Sequence, residues 1–404
     1  MTSLAEAPPK TNLLPSELVQ ERAEFERQPE SVIKLLLDRV QRGYRRGIDD
    51  DGHKVGLAFD AGGMAGVVSG AMAQELEPTG ILNVVDGFYG LSAGGFNALY
   101  IAAGQIQEGI GIYTDVFPDN GFIDMPKVVP PQKPTMSLDV LRDTVYKTRK
   151  LNVKKIVEEK IPVILGATDL SDPLKRPVIF RSTDLRPEEA DKLIEQAIAG
   201  SHIPVVAGEP VALENGKRYT DATMSWSSTV ELARTDGCTD VLSLSNSAFD
   251  SKEPSSGMKS ATFVIGRFGD RYLDKNSPEL PKLYQGPSLG EWVFHPLDSL
   301  ARRICDAIVG DTGWYWDVNK YSDVLKRKTE SEKLFRNQVF VEDGVNVERV
   351  YPPDIPELPE LLTMDRKRLL AGVRAGSLAV KNTILSLGHK NPVESVPAPE
   401  TQTA

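Results

Sequence analysis

The 404-residue chain reads as one large α/β domain, a three-layer sandwich whose mostly parallel sheet is covered by helices on both faces, with helical extensions at both ends. Three observations lead there. Short apolar segments of strand length alternate with Ala-rich helical segments between residues 54 and 104, and strand–loop–helix units of this kind build parallel sheets. Two of the strand-to-helix junctions are rich in glycine, the residue that permits tight turns. Forty per cent of the residues are hydrophobic and 26% are charged, the balance of a globular chain that makes its own core.

The elements follow in order. Residues 1–14 are rich in Ala, Pro and Thr and read as a flexible lead. Residues 15–50 form an N-terminal helical extension, because Leu18, Val19, Phe25, Val32, Leu35, Leu36, Leu37 and Val40 recur among charges at helical spacing. A catalytic α/β domain is expected over 51–250. In it KVGLAFD (54–60) reads as a strand, GVVSGAMAQELE (66–77) as a helix, VVDGFYG (84–90) as a strand and SAGGFNALYIAAG (92–104) as a helix. Further strands are expected at 161–170, 176–182 and 240–246, with a helix over 187–201. Asn215-Gly216 marks a hairpin. Residues 251–388 read as a mainly helical part packed on the same domain. It contains helical patterns from Leu289 to Gln338, a strand pair VFVED and VNVERVYPP, and a last helix over 364–387. The tail, 389–404, reads as disordered.

Charge and composition narrow the function. Fifty-seven acidic residues against 47 basic ones give a net charge of -10. That balance argues against a nucleic-acid partner, which requires an excess of Lys and Arg. Two cysteines, Cys238 and Cys305, cannot form a disulfide framework; both sit in apolar contexts and read as buried, inert thiols. Neither a signal-like N-terminus nor an apolar run of membrane-spanning length is visible, so a cytoplasmic setting is expected. No zinc- or calcium-type ligand spacing is seen, and no cofactor is expected. The four histidines are His53, His202, His295 and His389. His53 reads as a surface residue; His202, close to an Asp motif, is a candidate for substrate contact or proton transfer. Trp292, Phe294, Trp314 and Trp316 could cover an acyl pocket or form the core of the C-terminal helices.

Three motifs carry the chemistry. Gly90-Leu91-Ser92-Ala93-Gly94 is a G-x-S-x-G between a strand and a helix. A sharp turn there projects a serine hydroxyl from the end of a sheet, and the helix N-terminus favours negative charge beside it. Asp60-Ala61-Gly62-Gly63-Met64-Ala65-Gly66 closes one strand and opens the next helix; consecutive glycines can turn backbone N–H groups into one space, as an oxyanion requires. Dinucleotide-binding and P-loop readings fail because residue 61 is Ala and no Gly-Lys-Ser/Thr follows. Asp221, after the hairpin, can serve as a base or cap a helix.

Together, in this order, the motifs resemble the patatin-like phospholipase family, with its D-G-G-G-x-R-G loop, G-x-S-x-G and D-G-G or D-G-A. Residues 197–211, 235–246 and 347–358 are also similar to bacterial members. The resemblance implies a Ser-Asp dyad that hydrolyses lipid acyl esters without a catalytic histidine. Ser92 would be the nucleophile, Asp221 the general base, and Gly62 and Gly63 the oxyanion hole, with Gly66, Gly90 and Gly94 as motif glycines. It implies a lipid or other acyl-ester substrate and transient contact with a membrane surface, and it leaves oligomeric state open. Ala61 stands where the family has Gly, Ala65 where it has Arg, and the third motif reads Asp-Ala-Thr. Two alternatives stay open: acyl transfer by the same dyad, and a lipid- or protein-binding scaffold with an idle dyad.

Overall fold

The computed structural model describes residues 30–124, 136–172, 174–203, 207, 209–248, 339–353 and 355–387. Within them nine strands form a single sheet: β1 (Val55–Phe59), β2 (Gly87–Gly90), β3 (Val163–Asp169), β4 (Pro177–Arg181), β5 (Val211–Ala212), β6 (Arg218–Thr220), β7 (Asp240–Leu244), β8 (Val339–Glu342) and β9 (Val345–Val350). Their spatial order is β5-β6-β3-β2-β1-β7-β9-β8, and β4 also pairs with β3. The five central strands, β3-β2-β1-β7-β9, run parallel. Antiparallel partners close both edges.

β1 is the middle of the sheet, and all five of its residues are buried. A strand covered on both faces must be apolar throughout, which is why VGLAF contains no charge. Side chains alternate between two cores, as the period of two requires. Leu57, Phe59, Phe88, Leu165, Leu242 and Leu244 join the larger core. Ala58, Tyr89, Ile164, Val241 and Val347 face the other way, onto the smaller one. Helices α2 (Val67–Leu76) and α3 (Ala93–Ala102) cover the first face, joined by the C-terminal helix α6 (Arg366–Ser386), which packs along α2. On the second face lies α5 (Thr229–Thr235). Between them in sequence, α4 (Lys192–Ala199) packs near β3 and β4. The three layers and the parallel sheet agree with the expectation. The strand pair after residue 338 is not a separate unit, since β9 extends the sheet from β7.

Of the helical extension expected over 15–50, the described part contains α1 (Val32–Arg42), which is built into the domain, while the lead 1–14 and residues 15–29 lie outside the described residues. Ser31 caps it, accepting from the Lys34 N–H, and its hydroxyl donates to Glu348. Arg39 would face water on a surface helix, yet it is fully buried. Its guanidinium reaches Asp51 at 2.7 Å, Asp86 at 2.8 Å, and the carbonyls of Val84 and His53. Asp86 also accepts from the Val55 N–H at the start of β1. His53 is not a plain surface residue: its Nδ1 lies 2.7 Å from buried Asp240. Cys238 is buried, and burial pushes its thiol up to about 12, so it stays protonated. The helical stretch 289–338, the aromatic region 292–316, Cys305, His295, His389 and the tail lie outside the described residues.

Removing one partner of a buried ion pair strands the other's charge, at a cost of about 3–5 kcal/mol. Arg39→Ala should lower stability by about that amount in urea unfolding. The hydrogen bond from Arg39 holds the Asp51 carboxyl down at about 2, against an unfolded value of about 3.9. Asp51 therefore contributes stability fully above pH about 4 and loses it as pH falls through about 2. In Arg39→Ala this part of the acid limb should flatten.

Candidate active site

The carboxyl ends of the central parallel strands carry the three motifs. β2 ends at Gly90 and α3 begins at Ala93, so Leu91 and Ser92 make the whole turn. Ser92 takes φ +53°, ψ -125°, one of four non-glycine residues with positive φ among the described residues. Such a conformation is sterically costly for a side chain and persists only where its surroundings enforce it. They do so here by close approach. A Cβ on Gly90 would overlap the Gly94 carbonyl, and one on Gly94 would overlap the carbonyl oxygen of Phe59 at the end of β1. Glycine at both flanks is what lets the turn fold down onto β1.

The glycine loop leaves β1 at Asp60 and turns through a short 3-10 segment, Gly63–Gly66, into α2. Gly63 has φ +54°, and a Cβ there would come within 2.5 Å of the Leu361 carbonyl oxygen. Long-range contacts hold the loop. The Asn246 amide donates to the carbonyls of Asp60 (2.8 Å) and Ala61 (3.3 Å) and accepts from the Ser69 N–H. Asn97 donates to the Gly66 carbonyl at 2.7 Å, and the Tyr113 hydroxyl donates to Asn97. Burial pushes the Tyr113 phenol above its usual value, so it stays a neutral donor. From the C-terminal segment, the Leu361 carbonyl accepts the Met64 N–H at 3.0 Å. Ala61 is not among the positive-φ residues, and its methyl packs on the smaller core, so alanine fits the loop at that position.

Asp221 follows β6. The register aligns it with Ser92: Gly90 pairs with Leu165, and Thr220 pairs with Thr168, so both loops emerge beside the end of β3, one on each flank. Gly166 of β3 sits between them. A Cβ there would overlap Leu91 and come within 3.0 Å of Trp226 Nε1. Asp221 is buried, and its Oδ1 accepts from the N–H (2.9 Å) and hydroxyl (2.6 Å) of Thr223. It therefore caps the turn Ala222–Met224, and that cap fixes the plane of the carboxylate. The Thr168 hydroxyl donates to its carbonyl at 2.9 Å. Its N–H donates to His202 O at 2.8 Å, and the Thr220 hydroxyl donates to that same carbonyl. Thr220 Oγ1 thus accepts from His202 Nδ1, 3.0 Å away. Fully buried His202 holds the Asp221 loop through its carbonyl and lies outside the cavity lining. Ser92 and Asp221 themselves make no hydrogen bond to each other; such contacts in enzymes commonly tighten when substrate arrives.

A narrow cavity of about 40 Å³ opens beside Ser92 and Gly63. Its walls are apolar, with Phe96, Tyr113, Phe117, Phe122 and Met136 prominent. Phe117 and Phe122 stack at 3.9 Å, and Tyr113 meets Phe117 edge-on at 6.2 Å. No cluster of three or more metal-ligating side chains occurs among the described residues.

The sequence model described as patatin-like phospholipase matches residues 57–233 of the chain. Residues 57–233 are a patatin-like phospholipase domain. Among solved structures the chain is similar to VipD from Legionella pneumophila, at 12% identity and a TM-score of 0.40, covering 83% of this chain and 67% of that one. It is also similar to human GIVD cytosolic phospholipase A2, at 11% identity and a TM-score of 0.39, covering 95% of this chain and 65% of that one. The chain thus spans about two thirds of either structure's length. No curated protein sequence matches. The patatin-like phospholipase domain contains the elbow serine, the glycine loop and Asp221, while Asn246 and Leu361, which brace that loop, lie beyond it.

Sequence reasoning named Ser92, Asp221 and the motif glycines but missed the braces: Asn97, Tyr113, Gly166, Asn246 and Leu361. Gly166 alone carried a signal, as a glycine inside an otherwise apolar strand. A matched pair of variants tests the close approach. Gly94→Ala should cost about 1–3 kcal/mol through overpacking. Gly70→Ala, within α2, meets only ordinary contact at 3.5 Å and should be neutral or gain about 0.5–1 kcal/mol from helix propensity. Urea unfolding of both variants decides it.

Proposed function

We propose that this chain is a lipid acyl hydrolase working through an acyl-enzyme at Ser92. The observation that carries the reading is Ser92 itself, held at φ +53° on a strand-to-helix turn and opening into an apolar cavity. A hydroxyl held at the N-terminus of a helix and lining a cavity is well placed for attack, because the helix dipole favours the charge that develops there. At about 40 Å³ the cavity takes a few apolar atoms, such as the carbons next to an acyl carbonyl, which gain from leaving water.

In this reading Asp221 takes the Ser92 proton during attack and returns it to the leaving alcohol. In the second half-reaction it activates the water that releases the acid. The carboxylate plane held by Thr223 and the loop held by His202 suit that task. The N–H groups of Gly62 and Gly63 serve the oxyanion, on a loop that Asn246 and Leu361 brace. That bracing favours a working site over an idle scaffold, since Ala61 is accommodated without positive φ. No described helix is long and apolar enough to cross a membrane. In this reading the protein works from the cytoplasm and reaches lipid by transient contact with a membrane surface.

The test is intact-mass labelling by a fluorophosphonate. One adduct is expected on the unaltered protein and none on Ser92→Ala. In Asp221→Asn the labelling rate should fall by about 10²–10⁴-fold, the contribution of a positioned general base. An adduct that persists in Ser92→Ala would sink the assignment.

A further inference from the structure

Helix α6 turns small residues inward and large apolar ones outward. Ala371, Gly372, Ala375, Gly376 and Ala379 are buried, and a Cβ on Gly376 would overlap the Val68 carbonyl where the helix packs along α2. On the outer side Leu370, Leu378 and Leu385 are 42%, 48% and 54% exposed. They are three of the six large hydrophobic side chains exposed among the described residues, and the other three, Ile48, Leu174 and Val341, lie elsewhere in the chain. An α-helix turns by about 100° per residue. Leu370, Arg374, Leu378, Lys381 and Leu385 therefore share an arc of about 80° and form one stripe roughly 22 Å long.

The charges on this helix are all of one sign. Its 21 residues contain five cations, Arg366, Lys367, Arg368, Arg374 and Lys381, and no acid, although the chain as a whole carries -10. Arg366 pairs with Asp119, Arg368 with Glu360 and Lys381 with Glu75. Lys367 and Arg374 are exposed and make no ion pair among the described residues. Leucines interleaved with cations on one helix face have the make-up of a helix that lies in the headgroup region of an anionic bilayer. A second copy of the chain suits the stripe less, because two such faces together would set Arg374 and Lys381 against like charges. The helix also begins beside the site. Arg366 donates to Thr114 O at 2.9 Å, next to the cavity-lining Tyr113.

We propose that the outer face of α6 docks the protein on an anionic lipid surface. Leu370, Leu378 and Leu385 enter among the headgroups, while Lys367 and Arg374 pair with lipid phosphates. The proposal rests on the hydrolase reading for its purpose, and on binding alone for its test. An anionic surface repels the chain as a whole, so attachment depends on this one face. Docking there sets the lipid against the helix whose first turn adjoins the cavity wall.

Co-sedimentation of the full chain with vesicles reads this directly. Vesicles of phosphatidylcholine mixed with phosphatidylglycerol should carry the protein down, those of phosphatidylcholine alone should carry far less, and binding should weaken as salt rises. Each cation near such a surface is worth roughly 5-fold in affinity, so Lys367→Gln with Arg374→Gln should weaken binding about 25-fold. Leu370→Asn, Leu378→Asn and Leu385→Asn together should weaken it by roughly 10-fold or more. All five positions are exposed, so fluorophosphonate labelling of Ser92 in solution should be unchanged in both variants. Equal binding to the two kinds of vesicle, binding that neither set of substitutions weakens, or no binding by a protein that labels at Ser92 would overturn the docking face and leave the Ser92 assignment standing. A dimer that the leucine substitutions dissociate would overturn it too, by giving the stripe to a second copy. Vesicle binding as expected from a protein that does not label at Ser92 would instead overturn the hydrolase reading and keep the docking face.

Discussion

The last carbonyl of the central strand carries the site. Phe59 O lies at the end of β1, where the glycine loop departs, and its neighbours in the sheet are Gly90 and Leu244. The elbow rests on it through Gly94, whose missing side chain is what allows the contact. From the opposite layer, the Thr229 hydroxyl donates to the same oxygen at 2.9 Å. One atom thus couples the start of the glycine loop, the Ser92 turn and α5. Interiors are close-packed, so a shift at such a point passes to all three. The strain at Ser92 is held in place by this packing, since nothing in the turn's own sequence favours φ +53°.

The parts of the fold that were legible in the sequence are those whose cause is local. A strand such as VGLAF shows itself by its own apolar run, and Asn215-Gly216 forms a hairpin turn with chemistry contained in two residues. The motifs were legible for the same reason, because G-x-S-x-G states a steric need within five positions. What was not legible depends on partners far along the chain. Asn246 braces Asp60 from 186 positions away, and Leu361 reaches Met64 from the C-terminal segment. Arg39 looked like any charge on an amphipathic helix, and only the arrival of Asp51 and Asp86 makes it a buried residue. His202, a minor candidate by its nearness to Asp221, reaches that loop through its carbonyl, and its Nδ1 lies 3.0 Å from Thr220 Oγ1.

The departures from the family pattern have a structural counterpart. A loop of consecutive glycines has little conformational preference of its own, so its shape must come from outside. Here that shape comes from two amides, a phenol and a backbone carbonyl, two of which lie beyond residue 233. The segment that supplies Leu361 is itself tied down. Arg368 on α6 donates to the Leu358 carbonyl at 2.6 Å and reaches Glu360 at 3.3 Å. A buried alanine at position 65 is therefore compatible with an ordered loop, because other groups define its path.

The two ends of the sheet are built on opposite principles. At the amino ends, charges are sunk into the protein and satisfied: Arg39 with Asp51 and Asp86, His53 with Asp240, and Asn346 bridging Asp240 to the backbone of Glu30. Such networks are costly to break and specify one arrangement, so they fix where α1 and the strands begin. At the carboxyl ends the cavity walls are apolar and the turns are rich in glycine, while the polar side chains, Asn246, Asn97 and Thr168 among them, hold backbone. The sheet separates the two: buried charge pairing lies one strand length away from the apolar cavity beside Ser92.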